Sequence, residues 1–174
     1  MKNRPCIFLD RDGVINRERG EYTFLTKDFC ILEGVAEALR LAHEANFLLI
    51  VITNQGGVDR GLYSKEDVMN CHHYLQTETG SLIDDIYICP HHPTKTESLM
   101  RKPDSLMFEK AIAKWGIDLE HSYMIGDADR DLLAAQKVGV KGLLVKSVKE
   151  SELVPREEQH QSLLDAVRFI LHTK

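Results

Sequence analysis

PCIFLDRDG, residues 5–13, decides the fold: four apolar residues after a proline run straight into two acids and a glycine. A run of this length and bias reads as a buried strand, and the polar residues that follow mark its end. The same pattern returns at FLLIVITNQGG, residues 47–57. Weaker strands are expected over Asp85–Cys89, Ser122–Ile125 and Lys141–Val145. Between them lie helical periodicities. Val35, Ala38, Leu39, Ala42 and Ala45 share one face, and Ser64 with Asp67 forms a capping-box pattern opening a helix to about Thr79. Further helices are expected over Ser105–Trp115, Asp129–Val138 and Gln161–His172, with Gly116 and Gly139 as stops. Strands alternating with helices predict an α/β fold, a Rossmann-like parallel sheet of about five strands covered on both faces. No repeat or linker divides the chain, so residues 1–174 are expected to form a single domain.

The positions that follow the strands carry the chemistry. Asp10 and Asp12 follow the first strand, Thr53 and Asn54 the second, Lys102 the third and Asp127 the fourth. Ligands of open α/β sheets bind beyond the carboxyl ends of the strands, so these groups are expected to converge. The set suits phosphoryl transfer, in which positioning and charge stabilisation dominate. A carboxylate serves as nucleophile. Its repulsion from a phosphate calls for a hard cation such as Mg²⁺, which Asp10 and Asp127 are expected to hold. Asp12 is near enough to donate and accept the proton, and Gly13 lets the backbone turn closely past the phosphate. Thr53 and Lys102 are expected to hold the equatorial oxygens.

LDRDGVIN, ITNQGG, RKP and GDADRD resemble the four motifs of the haloacid dehalogenase superfamily. DRDGVIN with TNQGGVDRG and CPHHP resembles, more narrowly, the heptose bisphosphate and histidinol phosphate phosphatase family, over about Cys6–Val145. The resemblance implies Asp10 as nucleophile, Asp12 as general acid and base, and Mg²⁺ held by Asp10, the Asp12 carbonyl and Asp127. Asn54, Gln55, Arg60 and Arg101 are then expected to bind substrate, and Asp131 to support the metal site from behind. It implies a haloacid dehalogenase-like domain without a large cap, whose rim is shaped by residues 17–24 and 55–63. Arg60 favours a sugar bisphosphate over histidinol phosphate; Glu18 and Glu21 argue the other way. A catalytically inactive phosphate-binding module is the alternative from another class.

Many members of the family carry a four-ligand zinc loop. Here Cys89 and His91 are present, but Ser98 and Met100 stand at the second pair, so no structural zinc is expected. His72 and His73, inside a helix, read as surface or partly buried histidines. The net charge of −5 and pI of about 5.9 disfavour a nucleic-acid partner. No run approaches the roughly 20 apolar residues of a membrane span, and the four cysteines form no disulfide pattern. A reduced, cytoplasmic monomer acting on a small phosphorylated metabolite is expected. The acidic stretch 147–159 is expected to be a solvated connection.

Overall fold

The computed structural model describes residues 3–145, 151, 153, 155 and 158–173. Six strands form one parallel sheet: β1 (Arg4–Leu9), β2 (Leu48–Asn54), β3 (Asp85–Cys89), β4 (Ile117–Gly126), β5 (Lys141–Val145) and β6 (Gln159–His160). Their order is β3-β2-β1-β4-β5-β6. The chain leaves β1 in one direction for β2 and β3, then crosses back to place β4 on the other side of β1. That reversal opens a crevice beyond the carboxyl ends of β1 and β4.

Side-chain alternation along the central strands feeds two cores. Ile7, Leu9, Leu49 and Val51 point to one face, Cys6, Phe8, Leu48, Ile50 and Ile52 to the other. Helices α1 (Val35–Glu44), α2 (Lys65–Glu78) and α5 (Leu163–His172) cover the first face through residues such as Leu39, Leu75 and Ile170. Helices α3 (Leu106–Trp115) and α4 (Asp129–Gln136) cover the second through Phe108 and Ala134, and Phe8 packs on Phe108 at 4.9 Å between ring centres. The doubly covered sheet explains why β1 and β2 read as continuous apolar runs rather than alternating ones.

Several boundaries differ from the sequence reading. β4 begins at Ile117 rather than Ser122: Ile117 and Asp118 pair with Arg4 and Pro5 of β1, but this first half, with exposed Glu120 and His121, carries no hydrophobic run to announce it. A sixth strand, two residues long, is added at the edge. α5 begins at Leu163, where the Ser162 side chain accepts from the Asp165 amide. Of the stretch 146–159, residues 146–150, 152, 154, 156 and 157 lie outside the described residues. Among the described residues no further domain is inserted between the strands. Residues 10–34 contribute only a 3-10 turn at Thr26–Asp28 and isolated bridges joining Asn16 to Asp12 and Ile31. No helix is long and apolar enough to cross a membrane.

Candidate active site

The crevice at the sheet reversal gathers residues from four strand ends. Asp10, the first residue beyond β1, is tied back to the sheet by its amide on the Ile125 carbonyl at 3.0 Å. Its Oδ1 accepts from the Arg11 amide at 2.7 Å and lies 2.9 Å from Lys102 Nζ. Its Oδ2 takes no hydrogen bond from the described residues and faces Arg130 Nη2 at 4.0 Å. One oxygen is therefore anchored and the other left open to the cleft.

Lys102 is buried. Its ammonium group donates to the Ile52 carbonyl at 2.7 Å and is ion-paired with Asp10 Oδ1 at 2.9 Å and Asp131 Oδ1 at 2.7 Å. Burial alone would lower its pKa, but Asp10 and Asp131 outweigh burial and raise it. The loop carrying it is pinned by Asn54, which donates to the Lys102 carbonyl and accepts from the Lys102 amide, both at 3.1 Å. Asn54 lines the cleft, yet both ends of its amide are used inside the protein.

Asp127 follows β4 and packs against the backbone of Gly13. A Cβ at Gly13 would overlap the Asp127 carboxylate, and φ there is +87°, so glycine answers both demands. Asp131, wholly buried on α4, has its Oδ2 3.2 Å from the Ala128 amide, and Gly126 leaves room for it. Asp10, Asp127 and Asp131 bring carboxylate oxygens within 4.8 Å of one another. Burial first, then neighbouring carboxylates against the pull of Lys102, push Asp10 up to about 7. Burial and Asp131 push Asp127 up to about 6. Asp127 Oδ1 is buried without a hydrogen-bond partner, 3.8 Å from Arg130. A buried all-oxygen donor set whose negative charge is undercompensated fits a hard dication such as Mg²⁺. Asp10 and Asp127 are free to hold it, while Asp131 is occupied by Lys102.

Asp12 is gripped rather than free. Oδ1 accepts from Arg11 Nη2 and Asn16 Nδ2, each at 2.9 Å; Oδ2 accepts from Arg11 Nη2 at 2.9 Å and Gln55 Nε2 at 3.0 Å. Arg11 itself is fully buried, donating also to the Thr23 carbonyl at 2.7 Å and lying over the Phe29 ring. Thr53, buried, accepts from Gln55 at 2.9 Å through its hydroxyl oxygen and keeps its own proton to donate. Gln55 is 1% exposed and does not line the cleft, contrary to the substrate contact expected of it. Burial pushes its partner Tyr63 up to about 12.

The cleft has a volume of about 400 Å³. Asp10 and Asp12 form its floor; Glu18, Gly20, Glu21, Tyr22 and Thr23 form one wall, and Arg60, Arg101 and Arg130 the opposite charge. Both loops expected at the rim contribute. Arg60 donates to the Tyr22 hydroxyl at 3.3 Å and lies 5.9 Å from the Tyr22 ring centre, with no carboxylate partner among the described residues. Arg101 donates to the His91 carbonyl at 3.0 Å. Arg11 and Arg130 were not singled out from sequence. Arg130 had a legible signal: it stands three residues after Asp127 at the start of a helix, hence on the same side. Arg11 had none, since an arginine between two turn acids reads as solvated. Cys89 is buried at the end of β3, its thiol 3.9 Å from the His91 carbonyl. His72 is buried, not partly exposed as expected.

Residues 99–167 match the family described as "HAD-hyrolase-like". Over 96% of its length the chain is 34% identical to the D-glycero-beta-D-manno-heptose-1,7-bisphosphate 7-phosphatase of Haemophilus ducreyi, covering 98% of that protein. Over 80% it is 40% identical to the D-glycero-alpha-D-manno-heptose-1,7-bisphosphate 7-phosphatase of Burkholderia mallei, covering 78% of it. The fold is similar to the crystal structure of D,D-heptose 1,7-bisphosphate phosphatase from B. bronchiseptica complexed with magnesium and phosphate. The TM-score is 0.88 and the identity 26%, over 98% of this chain and 99% of that one.

Proposed function

The chain belongs to the haloacid dehalogenase-like hydrolases, in the family of the D-glycero-D-manno-heptose-1,7-bisphosphate 7-phosphatases, and on that premise we propose that it hydrolyses the 7-phosphate of such a heptose bisphosphate. One observation carries the reading: an open carboxylate oxygen on Asp10 sits at the floor of a cleft bordered by three arginines. Three guanidinium groups exceed what one transferring phosphate needs, and suit a substrate with a second phosphate. Histidinol phosphate carries a cation at its far end, which those arginines repel.

In this reading a carboxylate oxygen of Asp10 attacks phosphorus, and the bond from phosphorus to the C7 oxygen breaks. Asp12 gives its proton to that departing oxygen, leaving an aspartyl-phosphate on Asp10. Asp12 then takes a proton from water, whose oxygen attacks the same phosphorus, and the bond to Asp10 breaks to release phosphate. Lys102 and the Thr53 hydroxyl face the charge that accumulates on the equatorial oxygens. Asp10, the Asp12 carbonyl and Asp127 would hold Mg²⁺, which when bound would neutralise charge between the nucleophile and the phosphate. Arg60 and Arg101 take the distal phosphate.

Phosphate release from D-glycero-D-manno-heptose 1,7-bisphosphate and from histidinol phosphate, each with Mg²⁺ and with EDTA, tests the assignment. The bisphosphate is expected to show the higher kcat/KM, and chelator to abolish both rates. Arg60→Ala should raise KM for the bisphosphate far more than for p-nitrophenyl phosphate, which has no second phosphate. A higher kcat/KM for histidinol phosphate would overturn the assignment.

A further inference from the structure

Gln55 spends every polar atom inside the protein. One amide proton goes to Asp12 Oδ2 at 3.0 Å and the other to Thr53 Oγ1 at 2.9 Å, while Oε1 accepts from the Tyr63 hydroxyl at 2.9 Å. The orientation of the amide follows, since a carboxylate only accepts and must meet the nitrogen. The other grips on Asp12 are local in sequence, from Arg11 and Asn16; Gln55 reaches it from beyond β2, 43 residues away. Tyr63 is itself fixed. It is 7% exposed, stacked on Phe24 at 4.9 Å with 8° between planes, and edge-on to Tyr22 at 5.5 Å. Tyr22 and Phe24 come from one side of the rim and Tyr63 from the other.

We propose that Gln55 is a positioning residue for Asp12, and that Tyr63, acting through Gln55, ties the orientation of that carboxyl group to the aromatic wall of the substrate rim. This rests on the acid and base role given to Asp12 above. Proton transfer to the leaving oxygen requires the carboxyl group within hydrogen-bond reach and correctly turned. Losing the clamp lets the carboxyl group rotate without removing it. The step affected is the one in which the Asp12 proton passes to the bridging oxygen as its bond to phosphorus breaks.

The test compares leaving groups. A sugar alkoxide must be protonated as it departs; p-nitrophenolate departs without a proton. kcat/KM covers the steps up to that departure. Tyr63→Phe removes one oxygen and keeps the stacked ring; Gln55→Met keeps the volume and removes the polar atoms. For Tyr63→Phe, the loss of kcat/KM on the heptose bisphosphate is expected to exceed that on p-nitrophenyl phosphate by about tenfold, a fraction of the ~10²–10⁴ that general acid catalysis supplies. Gln55→Met should show a larger contrast, and Asp12→Asn the same contrast at full size. Adding Tyr63→Phe to Asp12→Asn should cost nothing further. Equal losses on both substrates, no loss on the bisphosphate, or a loss that persists in the Asp12→Asn background would each overturn the proposal. If Gln55→Met does not fold, Tyr63→Phe carries the test alone. The wild-type rate on the heptose bisphosphate judges the substrate assignment separately. The ratio of losses can be measured on any alkyl phosphate the enzyme turns over.

Discussion

Two carboxylates, Asp10 and Asp12, stand two residues apart and meet different surroundings. Asp10 is held through one oxygen and lifted in pKa by burial; Asp12 is wrapped by Arg11, Asn16 and Gln55 and partly open to the cleft. On the proposed mechanism, environment separates a nucleophile from an acid and base of the same chemical type. Asp10→Asn removes the proposed phosphoryl acceptor and is expected to abolish turnover, read as phosphate release by the folded variant. Asp12→Asn is expected to lower kcat by ~10²–10⁴ while Mg²⁺ binding, measured calorimetrically, persists through the backbone carbonyl. Most of this site was legible, because Asp10, Asp12, Thr53 and Asp127 stand at or just beyond strand ends, the most readable feature of a parallel sheet, and Lys102 lies in the loop that follows β3. What was not legible is what those side chains touch. Nothing in TNQGG says that Gln55 turns inward to meet Tyr63, since that contact depends on how two rim loops fold over each other.

At the scale of elements, α2 joins local rules to tertiary ones. Its start is written in the chain: Ser64 Oγ accepts from the Asp67 amide at 3.1 Å, and Asp67 Oδ2 accepts from the Ser64 amide at 2.8 Å. Ser64→Ala is expected to cost about 1 kcal/mol in urea denaturation. Its buried face was less readable, since polar residues interrupt it. His72 lies there with neither ring nitrogen hydrogen-bonded, and burial, then Arg11, push its pKa down to about 3. The folded value lies below the ordinary 6.5. Stability is therefore full above about pH 6.5 and is lost as pH falls toward 3, because the unfolded chain takes the proton first. At about pH 5 the loss from this group is about 2 kcal/mol. Urea midpoints at neutral pH and at about pH 5 should differ by correspondingly less in His72→Phe. An unchanged difference would show that His72 is not the group responsible. The least legible parts of the sheet were the β6 edge, two residues long, and the first half of the interior strand β4, where Glu120 and His121 are exposed; neither carries a hydrophobic signal.

For the whole molecule, the sheet reversal concentrates like charge that the protein alone does not neutralise. With Asp10 pushed up to about 7 and Asp127 to about 6, part of the metal-free population carries protons there at mildly acidic pH. A cation favours the ionised forms, so adding Mg²⁺ to unbuffered protein at about pH 6 should release protons, and at about pH 8 almost none. A pH-stat titration measures this, and equal release at both values would exclude these carboxylates as the site. The same reversal sets when the catalyst comes into being. Asp10 lies near the beginning of the chain, yet Asp127 joins it only after β4 has crossed to the far side of β1. During synthesis, at about 5–20 residues per second, Asp10 emerges many seconds before Asp127. A ribosome-bound chain halted before β4 therefore holds Asp10 without Asp127, and phosphatase activity should first appear in arrested chains long enough to expose α4. The appearance of turnover thus dates the arrival of β4 beside β1, and makes this enzyme its own clock for that crossing of its backbone.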